Sequence, residues 1–237
     1  MMEVNAHGTG ALVTAADRRI GRWVQLSSIA VYGAPQAGVI DEDAALQPVD
    51  VYGRSKADAE RRVREAAERG AFLSAIVRPA KVFGVGIASG NNAILFQLFS
   101  LVRRGLFFFI GKPGALTHYV HVDNLVEALE RCGRAALREN AVYNLSDDRT
   151  IEDFVQVIAD ALARPTPKLR LPQAPVELLA RAFGRVPGFP LHERRVTALV
   201  NRVAIPCERI RRSLGYVHPV PIERGLPELV RAWSDRA

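Results

Sequence analysis

The side chains in this sequence that could do chemistry together are two hydroxyls, a phenol and an ammonium. Ser27 and Ser28 come at the end of a stretch that predicts a β-strand over residues 22–27, and Tyr52 and Lys56 follow after a loop. Because residues four apart share one face of an α-helix, the phenol and the ammonium are expected side by side. An ammonium stabilises a neighbouring phenolate, and such a phenol can exchange a proton with an alcohol. The group predicts acid–base chemistry on a hydroxyl or carbonyl, with Ser28 holding the reacting oxygen.

The Tyr52–Lys56 spacing is informative because lysine is scarce in this sequence. Only four of the 32 basic residues are lysines, and of the five tyrosines only Tyr52 has a lysine four positions later. The alternative interpretation is a surface pair on a solvated helix face. The hypothesis of a proton-transfer site therefore depends on the elements that would bring Ser28 and Tyr52 into one cleft.

Alternating helical and strand-like patterns surround these residues. The apolar run 72–77 is typical of a parallel strand buried on both faces, and the amphipathic segment 51–69 predicts a helix with Tyr52 in its first turn. The alternation predicts an α/β fold, a partial Rossmann-like doubly wound parallel sheet with a smaller C-terminal α+β substrate lobe. We expect residues 1–164 to form the C-terminal part of the Rossmann-like domain, with 84–118 contributing to the lobe, and residues 165–237 to form the lobe itself. The other predicted elements are helices over 3–19, 92–104, 123–133, 151–163 and 222–235, and strands near 107–110, 118–122 and 142–145.

The basic composition does not predict binding to nucleic acid or insertion into a membrane. The net charge of +7 comes mainly from arginines that are spread along predicted helices. Solvated helix faces explain this distribution, and attraction of an anionic substrate is the alternative. A nucleic-acid groove would need clustered basic residues interleaved with aromatic ones, a pattern that the sequence lacks. The apolar run 94–110 is interrupted by Arg103-Arg104-Gly105, so no membrane span is predicted.

The cysteines and histidines predict neither a disulfide nor a metal site. Cys132 and Cys207 are isolated, as in reduced cytoplasmic proteins, and the first residues lack a signal-peptide pattern. His118 and His121 are three apart on a predicted strand and would face opposite sides of it. Asp123 is predicted to be the N-cap of the following helix rather than a catalytic acid.

Five segments occur in an order that resembles one enzyme family. They are Asn5-Ala6-His7-Gly8-Thr9, Leu26 to Gly33 with Ser28, the pair Tyr52-x-x-x-Lys56, Val77 to Gly84 with Arg78-Pro79, and Tyr119 to Leu125. From about Asn5 to about Trp233 the sequence resembles the extended short-chain dehydrogenase/reductases, in the NAD-dependent epimerase/dehydratase group that acts on nucleotide sugars.

The resemblance implies an enzyme that uses NAD or NADP and a nucleotide-sugar substrate. It gives catalytic roles to Ser28, Tyr52 and Lys56, with Tyr52 as the acid/base. It places the substrate against Ser28 and the turn Asn91-Asn92, where an ordinary helix N-cap is the alternative. By family analogy the helix 51–69 also forms half of a homodimer interface. The residues that it places against the cofactor are Asn5, Ser27, Tyr52, Lys56, Pro79 and Val82.

Two features depart from the family pattern. A dinucleotide site opens with a strand, a glycine-rich turn and a helix, and Gly8-Thr9-Gly10 does not match because no strand precedes it. We therefore expect the N-terminal cofactor-binding half to be absent from this chain, through a misassigned start, a fragment or a degenerate relative. In addition, Ile29-Ala30 occupy the places where the family's dehydratases carry Asp-Glu, which disfavours sugar dehydration.

The leading hypothesis from the sequence is an NAD(P)-dependent epimerase or ketoreductase of a nucleotide-diphosphate sugar that uses a Ser-Tyr-Lys active site. Two alternatives stay open. One is a non-catalytic remnant of the fold. The other is a reductase of an apolar, steroid- or flavanone-like ketone on the same scaffold.

Overall fold

Short strands alternate with helices in the computed structural model of the chain, which describes residues 1–34, 37–87, 89–137, 139–183 and 193–235. A π-helical turn (Met2–His7) leads into the first helix, and a 3-10 turn (Ile29–Tyr32) follows the first strand. The strands are β1 (Arg22–Leu26), β2 (Ala37–Val39), β3 (Leu73–Pro79), β4 (Lys81–Phe83), β5 (Phe109–Ile110), β6 (Leu116–Thr117), β7 (Tyr119–His121), β8 (Ala141–Leu145), β9 (Arg149–Thr150), β10 (Arg170–Leu171) and β11 (Arg202–Ala204). The helices are α1 (Gly8–Ala16), α2 (Val51–Glu68), α3 (Ser89–Arg103), α4 (Val122–Arg134), α5 (Ile151–Ala161), α6 (Gln173–Phe183), α7 (Glu193–Val200), α8 (Glu208–Leu214) and α9 (Ile222–Ser234).

A three-stranded parallel sheet positions the residues of interest. Its strand order is β1-β3-β8, with Leu26 paired to Val77 and Val77 paired to Tyr143. The middle strand β3 is buried from Ser74 to Pro79, as its apolar sequence predicts for a strand covered on both faces. Because the strands are parallel, β1 and β3 end at the same edge of the sheet.

Helices cover both faces of this sheet. On one face, Val77 packs in a cluster with Ala128 of α4. On the other face, Arg78 reaches Glu60 of α2, and α2 in turn packs against α1. The predicted α/β fold with a Rossmann-like, doubly wound parallel sheet is therefore confirmed.

The later part of the chain contributes small two-stranded sheets and a helical layer. β5 pairs with β10, β11 with β2 and β4 with β7, all in parallel, whereas β6 and β9 are antiparallel. Helices α3, α5 and α9 share one core, in which Phe99, Phe154 and Leu226 are fully buried. The ring centroids of Phe99 and Trp233 lie 5.6 Å apart. The division of the chain into 1–164 and 165–237 stays a prediction.

Several element boundaries differ from the sequence predictions, and three of the differences have a clear physical reason. The predicted helix 3–19 is a π-helical turn followed by α1, and it ends at Ala16 because Arg18 turns the chain with φ of 53°. β3 runs on to Pro79 rather than ending at residue 77, since an ion pair inside the fold satisfies the Arg78 charge. The N-cap of α4 is His121, whose Nδ1 accepts a hydrogen bond from the Asp123 N–H at 3.3 Å. The predicted cap at Asp123 is wrong because β7 passes directly into the helix.

Candidate active site

A cavity of about 680 Å³ lies at the edge where β1 and β3 end. Ligands of open α/β sheets bind at the carboxyl ends of the strands, and a volume of several hundred Å³ suits a small molecule. The structure brings most of the sequence-predicted site residues to this one wall. Those that line the cavity are Ser27, Ser28, Tyr52, Lys56, Pro79 and Val82.

Ser28 is held in one orientation by the turn that it begins. Its backbone is extended, and its Oγ accepts a hydrogen bond from the Ala30 N–H at 3.2 Å as the N-cap of the 3-10 turn. A hydroxyl that accepts one bond still has its own hydrogen to donate. Ser28 can therefore donate a hydrogen bond to an oxygen in the cavity.

Tyr52 is positioned by the close approach of α2 to the turn that carries Ser28. The N-cap of α2 is Asp50, whose carboxylate accepts from the Gly53 N–H at 2.7 Å. A Cβ on Gly53 would lie 2.6 Å from the carbonyl oxygen of Ala30, so only glycine allows this approach. The first turn of α2 thus lies against the 3-10 turn and presents the phenol of Tyr52 to the wall that holds Ser28.

Lys56 lies one helical turn after Tyr52, as the spacing predicts. Its Nζ is 5.9 Å from the centroid of the Tyr52 ring and donates to the carbonyl oxygen of Leu26 at 3.0 Å. Burial lowers the pKa of Lys56, and the Glu60 carboxylate opposes that shift. The carbonyl at the end of β1 therefore fixes the ammonium beside the phenol.

A buried ion pair that lies next to the site was not predicted from the sequence. Arg78 and Glu60 form two hydrogen bonds, Nε to Oε1 at 2.9 Å and Nη2 to Oε2 at 2.6 Å, and both side chains are at most 1% exposed. Arg78 also donates to the Tyr32 hydroxyl at 2.7 Å, which in turn donates to Asn144. A single arginine in an apolar strand, together with a glutamate four residues after Lys56, was the available signal.

Two of the predicted asparagines, Asn5 and Asn92, are not among the described residues that line the cavity. Asn5 donates from Nδ2 to the Ser55 hydroxyl at 3.0 Å and thus contacts α2 next to Lys56. Asn92 is 2% exposed and donates from Nδ2 to the carbonyl oxygen of Gly84 at 3.0 Å. The Asn91 side chain lies outside the described residues. The binding roles of Asn5, Asn91 and Asn92 stay predictions.

The strand ends offer a bound ligand one unsatisfied polar group, a chemistry compatible with a dinucleotide cofactor. Ser27 is 2% exposed and lines the cavity, and its Oγ has no hydrogen-bond partner among the described residues. A buried hydroxyl without a partner costs about 1–3 kcal/mol, which a polar ligand atom would offset. Gly8 and Gly10, by contrast, lie inside α1, and the Gly8 N–H is bonded to the Glu3 carbonyl. That segment does not form a pyrophosphate-binding turn.

A second, more apolar cavity of about 430 Å³ adjoins the first. Leu98 and Leu101 of α3 and Phe154 of α5 contribute to its wall. The two cavities share Lys81 and His118, neither of which the sequence marked as a ligand-binding residue.

Comparisons with known proteins agree with this architecture. The family model described as NAD dependent epimerase/dehydratase family matches residues 1–146. The short-chain dehydrogenase/reductase family 42E member 1 of Macaca fascicularis is 29% identical over 244 residues, which cover 90% of this chain and 61% of that protein. UDP-glucose 4-epimerase of Vibrio cholerae is 28% identical over 241 residues, which cover 98% of this chain and 69% of the enzyme. The chain thus spans less than two thirds of the length of the first of these relatives.

A solved structure has the same fold. UDP-glucuronic acid 4-epimerase from Bacillus cereus, determined in complex with NAD, superposes with a TM-score of 0.70 at 15% sequence identity. The match covers 98% of this chain and 68% of that one. At this identity the similarity shows the shared fold.

Proposed function

The chain belongs to the NAD dependent epimerase/dehydratase family, and we propose that it is part of an NAD- or NADP-dependent enzyme that acts on a nucleotide-diphosphate sugar as an epimerase or ketoreductase. The observation that carries the proposal is the convergence of Ser28, Tyr52 and Lys56 on one cavity wall, next to the unpartnered hydroxyl of Ser27. Solved structures of the same fold hold NAD or NADPH, and one relative is named UDP-glucose 4-epimerase.

The three side chains divide the proton chemistry among them. Tyr52 takes the proton of a substrate hydroxyl as the carbon is oxidised, and returns a proton to the carbonyl oxygen in the reverse direction. Ser28 donates a hydrogen bond to that oxygen and keeps it beside Tyr52. Lys56 stabilises the phenolate by its charge. The nicotinamide cofactor, when bound, supplies the two-electron hydride chemistry at the same carbon.

The wall beside Ser28 supports epimerisation or ketone reduction over dehydration. Ile29 and Ala30 line the cavity directly after Ser28. Elimination of water needs a further acid and base next to the reacting carbons, and an isoleucine and an alanine cannot supply them. We propose that the reaction ends with a changed configuration or an alcohol rather than with loss of water.

Reduction of an apolar ketone is the second candidate, and the second cavity favours it. Its wall is mainly aliphatic and aromatic, with leucines from α3 and Phe154 from α5. Such a wall suits a fused-ring or aryl ketone, while the same Tyr52 and Lys56 would deliver the proton.

The structure also bears on membrane insertion and on the cysteines. No described helix has both the length and the apolar content needed to cross a bilayer. Cys132 and Cys207 are buried and not bonded to each other. Cytoplasmic localisation and a homodimer through α2 stay predictions.

The proposed function is tested by cofactor titration and turnover in the full-length protein. Binding of NAD and NADP is measured by calorimetry, and nucleotide sugars and hydrophobic ketones are assayed by nicotinamide absorbance. We expect Tyr52→Phe to lower kcat by about 10²–10⁴-fold, the usual share of general acid–base catalysis. Lys56→Met should do likewise, whereas Lys168→Met, at an exposed lysine, should leave kcat unchanged. Absence of NAD(P) binding, or an active Tyr52→Phe variant, would refute the proposal.

A further inference from the structure

One buried arginine contacts both segments that carry the predicted proton-transfer group. Arg78 lies in β3 directly before Pro79, which lines the cavity of about 680 Å³, and its side chain is 1% exposed. The guanidinium bonds to α2, to the 3-10 turn and to the loop after β2. Its N–H groups form a rigid planar fork, so one side chain can hold three segments in fixed relative positions.

The bonds to α2 are made one helical turn after Lys56. Glu60 is fully buried and accepts two hydrogen bonds from Arg78, at 2.9 and 2.6 Å. Tyr52, Lys56 and Glu60 follow one another at intervals of four residues and therefore lie along one side of the helix. A bidentate pair fixes orientation as well as distance, so Arg78 sets both for the helix that presents the phenol and the ammonium.

The bond to the 3-10 turn is made at the last residue of that turn. The Tyr32 hydroxyl accepts from Nη1 of Arg78 at 2.7 Å, and the guanidinium carbon lies 4.9 Å from the centroid of the Tyr32 ring. The same hydroxyl donates to Asn144 of β8 at 2.7 Å, and the Tyr32 side chain is buried. Because Ser28 caps the other end of this four-residue turn, Arg78 fixes the turn that orients the Ser28 hydroxyl.

The third bond reaches another part of the cavity wall. Nη1 of Arg78 donates to the carbonyl oxygen of Glu42 at 3.2 Å, two residues after Ile40, which lines the cavity. Asn144 donates from Nδ2 to the Ile40 carbonyl oxygen at 3.1 Å and from its backbone N–H to the Glu42 carboxylate at 2.9 Å. That carboxylate also pairs with Arg209 of α8 at 3.3 Å. The loop is thus held by the same group of bonds as α2 and the 3-10 turn.

Stability alone does not explain why an ion pair occupies this position. Apolar side chains of similar volume often replace a buried pair without loss of stability, but they cannot supply directional bonds. The approach of Gly53 to Ala30 sets the closest distance between the two segments, and the bonds of Arg78 hold them there. Proton transfer needs heavy atoms about 2.6–3.2 Å apart. A shift of about 1 Å can cost about 10²-fold in rate, so such bonds bear directly on the reaction.

We propose that Arg78 is a positioning residue for proton transfer, because it holds the helix of Tyr52 and the turn of Ser28 in one fixed arrangement. The inference rests on the proposed function, which gives those two side chains their roles. Arg78 is not among the described residues that line the cavity, so its loss should lower kcat and leave ligand affinity nearly unchanged. The bond to the Glu42 carbonyl oxygen extends the arrangement to the loop that carries Ile40.

Hydrogen exchange followed by mass spectrometry tests whether Arg78 holds the three segments together. The full-length protein is compared with its double variant Glu60→Leu with Arg78→Met, in which apolar side chains replace the pair and the fold is kept. We expect the amides of residues 29–33 and 40–44, several of which are bonded to the backbone, to exchange at least tenfold faster relative to those of α5. Comparison within one sample removes the effect of global unfolding. Arg131→Met is the matched control and should not change this ratio, because Arg131 joins α4 to the end of α8 instead.

Steady-state kinetics test whether the arrangement matters for the reaction. The substrate is the nucleotide sugar or hydrophobic ketone that the full-length protein turns over. The double variant should lower kcat at least tenfold and keep KM within twofold, because the reacting groups lose their relative position. Tyr32→Phe removes one bond of Arg78 and keeps the ring, so it should lower kcat by less, about three- to tenfold. Arg131→Met should leave both kinetic constants unchanged.

The inference is overturned if the relative exchange in the double variant stays within twofold of that in the unmodified protein. It is also overturned if kcat stays within twofold, or if KM rises while kcat does not fall. Tyr32→Phe decides the same questions if the double variant does not fold. If the exchange rises as expected but the unmodified protein turns over neither class of substrate, the proposed function is refuted, and the role of Arg78 in joining the three segments stands.

Discussion

Breaking the buried Arg78–Glu60 pair should destabilise the protein strongly, whereas removing both charges should not. The pair is bidentate, with N–O distances of 2.9 and 2.6 Å, and neither side chain is more than 1% exposed. Loss of one partner from a buried ion pair leaves an uncompensated charge and typically costs about 3–5 kcal/mol. We therefore expect Glu60→Leu to lower the free energy of unfolding by about 3–5 kcal/mol.

The two single substitutions should not be equivalent. Glu60 has a second cation nearby, Arg64, whose Nη2 lies 3.6 Å from the Glu60 carboxylate. Among the described residues, Arg78 without Glu60 keeps two neutral acceptors, the Tyr32 hydroxyl and the Glu42 carbonyl oxygen. Arg78→Met should therefore cost less than Glu60→Leu.

The double variant Glu60→Leu with Arg78→Met leaves neither charge of this pair in the core. Apolar side chains of similar volume often replace a buried pair at little cost. Two further hydrogen bonds are lost with Arg78, to the Tyr32 hydroxyl and to the Glu42 carbonyl oxygen, while the Tyr32 hydroxyl keeps its bond to Asn144 at 2.7 Å. The expected cost is therefore about 1–2 kcal/mol. The cost of the double variant should thus be several kcal/mol below the sum of the two single costs.

Urea unfolding measures this cycle, with tryptophan fluorescence and circular dichroism as two probes. Trp23 lies on β1 and Trp233 on α9, so the fluorescence reports on both cores. Single substitutions that each cost less than 1 kcal/mol would refute the reasoning. A double-variant cost equal to the sum of the two single costs would also refute it, because additivity would mean that the two charges do not stabilise each other in the folded state.

Three smaller perturbations test how the site is held. Gly53→Ala should destabilise the protein by about 1–3 kcal/mol in urea unfolding and lower kcat, because the added Cβ would meet the Ala30 oxygen at 2.6 Å. Alanine favours helices more than glycine does, so without this close approach the variant would be more stable. A stabilised, active variant would therefore contradict the close approach of α2 to the 3-10 turn. Asp50→Ala should cost about 1 kcal/mol through loss of the α2 cap, and Asp50→Asn should retain most of it in the same assay. Burial lowers the pKa of His121 below its value of 6.5 in the unfolded chain, so protonation of this side chain favours unfolding. The contribution of His121 to the free energy of unfolding is therefore fully present above pH 6.5 and falls as the pH drops below that value. Equilibrium unfolding across that pH range should show a shallower fall for His121→Asn, which keeps a cap acceptor without titrating, and equal slopes would exclude His121 as the cause.

The framework of the site was predictable because local patterns encode it. The spacing of apolar residues and the glycine at position 70 indicated the helix that the structure gives as Val51–Glu68. The apolar run 72–77 indicated the middle strand, and the i, i+4 rule placed Lys56 beside Tyr52. These features depend on residues close in sequence, and parallel strands always end at one edge.

The features that escaped prediction depend on contacts between distant residues. Arg78 looked like the end of a strand because a charge rarely occurs inside one, and only Glu60, 18 residues earlier, makes it part of the core. Lys81 and Asn201 line the same two cavities although they are far apart in sequence, so no local pattern could indicate this. Two-residue strands such as β5 and β10 are likewise too short to have a periodicity of their own.

The placement of Ser28 and Tyr52 on one cavity wall depends mainly on backbone contacts, and this explains how the reaction type could vary on one scaffold. Ala30 joins the two halves of the site, because its N–H is bonded to the Ser28 hydroxyl and its carbonyl oxygen lies against Gly53. Neither contact uses the Ala30 side chain. A residue at position 30 can therefore change the chemistry of the cavity wall while the hydroxyl and the phenol keep their relative position. Alanine at that position, like isoleucine at position 29, adds no acid or base directly beside Ser28, in keeping with the proposed reaction without loss of water.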